Sequence, residues 1–393
     1  MGKTKFCGEE LEASIKRLPQ GKPQMDAYWN AIRQADEAGD PYWRLMFRCD
    51  YCYEATFRDD PPKAIPVAAE FCALFEENSE AFIERSQDGA SEMHLMIMQM
   101  GIDPIVFLPQ IPVEQWEKMM GEFHRWVKYY HIGLRTYWWQ MARFWQYIDR
   151  EQAYQYFQKF WKTGRDGLSD CRACERSYAV RMELLMGNRA AADAYAKPMD
   201  QGRIWFCKDT PQLYWLAYLE YALDHEDRKE AEKRANALYR KGNRDKSDLS
   251  YIGAILRCWA DTDPERALAL FAKRLEWSIG MWDQKKVYDF DKGACVLFRR
   301  LSGTRQTVEL ELPQAFPLWR EDGTYAAKEL AGWFQTQAET IGHRFDQRNN
   351  SHYFEDDLAA ALKQCGLPDS ETERRNQYDR GTDHFGPDAK GTS

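Results

Sequence analysis

Apolar residues recur along most of this chain at a period near 3.6, and five times the run breaks in the same manner. An aromatic or aliphatic helix end meets a turn containing Asp, Asn or Pro, and a new helix then opens near an Ala. The breaks run from Tyr53 to Ala64, Phe144 to Ala153, Leu184 to Ala191, Tyr221 to Ala231 and Cys258 to Ala267. The last four Ala anchors are 38, 40 and 36 residues apart, and the 89 residues between Ala64 and Ala153 leave room for one repeat enlarged by the Pro-punctuated stretch 103–112. A helical hairpin repeated at this interval is the signature of an α-solenoid.

The composition agrees with large-residue helix packing. The 393 residues include 15 Trp, 21 Tyr and 20 Phe, while Gly and Pro gather between the periodic segments. Only Thr307-Val-Glu-Leu-Glu-Leu-Pro313 alternates like a strand, with a turn signal at 321–324. The expected fold is therefore all-α: an α-solenoid of helical hairpins with a small β-like insertion near 307–325. A net charge of −8 argues against non-specific attachment to nucleic acid or to anionic membrane. No apolar run is long enough to span a bilayer, and the first residues lack a secretory pattern. Ten Cys without such a pattern point to a reducing compartment, so the expected location is cytoplasmic.

Three second helices carry Ala-x-x-x-aromatic: Ala153/Phe157, Ala191/Tyr195 with Pro198 three residues on, and Ala267/Phe271. The pattern resembles the second helix of bacterial tetratricopeptide (TPR) repeats, in which a small residue lets paired helices approach and an aromatic fills the gap below. The repeats are degenerate, being longer than the regular 34 residues and lacking most of the first-helix signature. The resemblance is clearest over 134–277 and weaker over 24–133. It implies an N-terminal segment at 1–23, a TPR-like array at 24–300, a β patch with helices packed on the array at 301–365, and a disordered tail at 366–393.

Cys171-Arg-Ala-Cys174 opens the first helix of one repeat, where i, i+3 spacing turns both sulfurs to one side. The partner helix returns through about Met199, so Cys207 in the following loop should come back to the level of Cys171. Three thiols near one point suit zinc, which takes four tetrahedral ligands. In the similar bacterial proteins the third Cys is followed by Pro-His; here Cys207-Lys-Asp-Thr-Pro211-Gln212 puts Gln in the His position, leaving Asp170, Asp209 or water as the fourth ligand. No cofactor is expected, and an empty cluster of Cys171, Cys174 and Cys207 is ranked ahead of a filled zinc site. Cys49-Asp-Tyr-Cys52 lies mid-helix without the βαβ context of a redox motif and reads as packing.

Two stripes run along the helix near 134–147. Trp138, Met141, Ala142 and Trp145 form the natural core face. Arg135, Trp139, Arg143 and Tyr147 would line the inner curve of a solenoid, where Arg beside aromatic rings suits a peptide bearing carboxylates or rings. Arg181, Tyr214, Tyr218 and Tyr251 are comparable inner-face candidates. His124 and His131 share a face at i+7 and read as structural. The polar stretch 343–354, with Asp346, Arg348, Asn349 and His352, resembles a closing element of the similar proteins and reads first as a helix end.

No nucleotide-binding loop, nucleophile elbow or zinc-protease motif occurs. The expected function is a non-enzymatic interaction scaffold that presents its concave face to a protein or peptide, and not to nucleic acid or membrane. The alternatives are a helical-repeat regulator sensing a peptide or small ligand, or an enzyme using the polar C-terminal stretch.

Overall fold

The computed structural model describes residues 6–58, 60–86, 89–242 and 244–365, so the tail expectation lies outside the described residues. Helices dominate, and the described β structure is one two-stranded sheet. The chain forms two units. The first comprises Met1–Tyr221 with Gly280–Val287 and Arg344–Ser351; the second comprises Ala222–Ile279, Tyr288–His343 and the chain from His352 onward.

In the first unit the described helices are α1 (Gly8–Ile15), α2 (Lys22–Ala38), α3 (Pro41–Arg58), α4 (Ala64–Ser86), α5 (Ala90–Ile102), α6 (Val113–Tyr130), α7 (Leu134–Trp145), α8 (Arg150–Lys162), α9 (Arg172–Leu185), α10 (Arg189–Asp200) and most of α11 (Gln212–Asp224). Helices α2 to α5 close over a core that includes Phe47, Phe71, Phe75 and Phe82. Cys49 and Cys52 are buried on α3, and burial pushes both thiols up, as packing residues rather than redox groups. Helices α7 and α8 pair as a hairpin, as do α9 and α10.

The second unit contains α12 (Arg228–Lys241), α13 (Leu249–Thr262), α14 (Pro264–Arg274), most of α15 (Gln284–Ser302) and of α16 (Ala327–Asn349), and α17 (Tyr353–Lys363). Strand β1 (Thr307–Glu309) pairs antiparallel with β2 (Thr324–Ala326), with buried Val308 opposite buried Tyr325. The alternating run therefore makes a strand of three residues, extended at its two ends by Leu310 N–H donating to Gly323 O and Ala327 N–H donating to Gln306 O.

The repeated turns have a local cause. Asp149, Asp227 and Asp263 each accept a hydrogen bond from a backbone N–H in the first turn of α8, α12 and α14, which is N-capping. The Ala anchors behind them are buried: Ala64, Ala153, Ala231 and Ala267 all pack in the interior. The α10 repeat is displaced by one residue, with Ala192 buried and Ala191 half-buried. Tyr195 meets Trp161 edge-on at 4.7 Å.

A three-cysteine candidate metal centre

Cys171 is the N-cap of α9, and its sulfur accepts the Cys174 N–H at 3.3 Å. Cap geometry thus explains why the two sulfurs turn to the same end of the helix. Cys207 lies in the loop between α10 and α11. Its Sγ is 3.2 Å from Cys174 Sγ, and all three sulfurs lie within 4.8 Å of one another. The return of the hairpin brings the third thiol back as the sequence spacing requires.

The loop around Cys207 is itself held. Cys207 N–H donates to Thr210 Oγ1 at 3.0 Å, and that buried hydroxyl lies 3.6 Å from Cys207 Sγ. Burial alone would push the Cys207 thiol up, but hydrogen bonds from Cys174, Thr210 and the Asp209 N–H bring it below the usual thiol range. Burial, and its role as donor to Cys207, push Cys174 the other way. Gln212, the first residue of α11, is 5% exposed; its Nε2 donates to Lys208 O, while its Oε1 is buried without a hydrogen-bond partner among the described residues.

Sequence reasoning missed the neighbouring aromatics. Ile204 packs against the core formed by α9, α10 and α11, whereas Trp205 is 95% exposed and Phe206 45% exposed. The available signal was three bulky apolar residues in a row inside a loop, where no helical period can bury them all.

The expected inner-face residues do not form an open surface. Arg135 is 5% exposed: its guanidinium is bidentate to Glu175 at 2.9 and 3.0 Å, donates to Phe160 O at 2.9 Å and covers the Phe160 ring. Trp139 is buried and stacks on Tyr178 with ring centres 4.1 Å apart. Arg143 is half-buried and bonds Asp103 at 2.8 Å. Tyr147 is buried, and its carbonyl accepts from Ser351 Oγ. Tyr214 and Tyr218 are buried too, donating to Asp200 and Asp193. Arg181 and Tyr251 are half-buried. Both stripes of α7 therefore pack: Arg135, Trp139 and Tyr147 are buried with Arg143 half-buried, while of the expected core stripe Ala142 is fully buried and Trp138, Met141 and Trp145 are half-buried.

The remaining polar candidates also have structural partners. Arg348 donates to the carbonyls of Ile105, Val106 and Leu108 and so closes the turn at 103–108; Asp346 and Asn349 are buried beside it in sequence, and His352 is exposed next to Glu355. His124 stacks on Tyr137 at 4.2 Å, and His131 ends α6 in the left-handed region (φ 56°) instead of continuing its face. No family model matches the chain, and no curated protein or solved structure matches it significantly.

Proposed function

We propose that this chain is a non-enzymatic, TPR-like helical-repeat scaffold that engages a protein partner through the aromatic tip Trp205–Phe206, in place of the inner-face residues expected from sequence. The observation that carries the reading is the exposure of Trp205 in a chain whose largest side chains are otherwise mostly packed. An indole held fully in water contributes nothing to the fold, yet supplies a rigid anchor of large apolar area and one N–H donor to a partner pocket. Its base is fixed on one side by Ile204, half-buried against the core, and on the other by Cys207 beside Cys174. Little conformational entropy is then lost on docking. Tandem hairpins α7/α8 and α9/α10 supply the rigid support, in the manner of a solenoid.

The test is Trp205→Ala with Phe206→Ala in the full-length chain. A partner recovered with the wild-type protein should bind the double variant about tenfold or more weakly, while the melting temperature is unchanged. Equal affinity for the two proteins would refute the assignment.

A further inference from the structure

We propose that Cys171, Cys174 and Cys207 bind one zinc ion through three thiolates, with an oxygen donor as fourth ligand, and that the metal fixes the base of the loop displaying Trp205. The role in the loop rests on the reading above; the metal site stands on its own geometry. Tetrahedral zinc with sulfur at about 2.3 Å needs sulfurs about 3.8 Å apart. The observed 3.2 Å between Cys174 and Cys207, inside a set spanning no more than 4.8 Å, brackets that separation.

The surroundings suit thiolates. Cys171 Sγ already accepts the Cys174 N–H. Backbone donors of this kind orient metal-ligating sulfurs and stabilise their negative charge. Cys171 also stands at the positive end of α9. On binding, the three thiols release their protons to water and Zn²⁺ accepts a lone pair from each sulfur, leaving a singly anionic centre. No fourth soft ligand is needed. Water completes the tetrahedron as the oxygen donor. An oxygen in that position makes the ion more exchangeable than a four-sulfur site would.

Cobalt(II) reports the ligand set directly. The full-length protein, kept reduced and stripped of metal, is titrated with Co²⁺ and then with Zn²⁺. One equivalent of cobalt should saturate tetrahedral d–d and thiolate-to-cobalt bands, and zinc should abolish them. Cys171→Ser is the decisive variant, because Ser is also a good N-cap and preserves the start of α9; it should bind at least about tenfold more weakly. Trp205→Ala should bind cobalt as the wild type does, which separates failure of the metal site from failure of the partner surface. Absence of the thiolate band with three alkylatable thiols, or undiminished binding by Cys171→Ser, would overturn the proposal.

Discussion

Arg135 and Glu175 are both almost fully buried, and the bidentate pair replaces much of the hydration each loses. Arg165 gives Glu175 a second, more exposed cation. Removing one member of a buried pair strands the other charge, so Arg135→Ala should cost about 3 kcal/mol in chemical denaturation; a loss below about 0.5 kcal/mol, the size of a surface substitution, would contradict the assignment. His94 makes a pH-dependent contribution. Its ring stacks on Phe75 at 3.9 Å, its Nδ1 meets Tyr130 Oη at 3.0 Å, and burial, with Arg125 adding a smaller effect, holds its pKa down to about 3. The unfolded chain then binds the proton more readily, so this stability is complete above pH ~6.5 and drains away as pH falls toward 3. Asp50, raised to about 7 mainly by burial, acts with the opposite sign, losing stability as pH rises through 7. Comparing His94→Phe with wild type isolates the histidine: the variant should lose about one proton's worth of slope, ~1.4 kcal/mol per pH unit, between those limits. Parallel stability curves would contradict it. These residues also show where the sequence stops being informative. Periodicity identified both stripes of α7, but Arg and Trp appear on both kinds of face, and the buried partner of Arg135 is Glu175, forty residues away.

Helix starts were legible for a simple reason. In three of the five repeated turns an Asp caps the helix that follows, a local interaction completed within four residues. Helix crossings were not legible, because they join residues distant in sequence. Helices α13 and α15 meet at Gly253 and Gly293, where a Cβ on Gly293 would stand 2.2 Å from Gly253 O and a Cβ on Gly253 would meet Asp289 O at the same distance. The obstacle is backbone, which cannot rotate aside. Gly293→Ala should therefore separate the helices and cost about 3 kcal/mol, seen as a large fall in melting temperature. A melt within about 2 °C of wild type would show that this crossing is not close-packed. The β insertion was partly legible: alternation located Thr307–Glu309, but its partner strand has only the short Thr324–Ala326 run behind Gly323, whose positive φ of 64° sets the turn.

At the scale of the whole molecule, the all-α class follows from a period sustained over hundreds of residues, whereas the division into two units depends on which distant segments return to pack. The cysteine cluster was foreseeable because a helical hairpin converts a sequence separation of 33 residues into a short distance. The aromatic tip was not, since exposure is a property of what fails to pack against a side chain. Both features meet in one loop, in which Phe206 is followed directly by Cys207. The most direct measurement is native mass spectrometry of the full-length protein, purified in reductant without chelator, with elemental analysis of the same sample. The expected result is one zinc per chain, lost in Cys171→Ser while the fold is retained; a metal-free chain with Cys171, Cys174 and Cys207 all reduced, unchanged on adding zinc, would contradict the account.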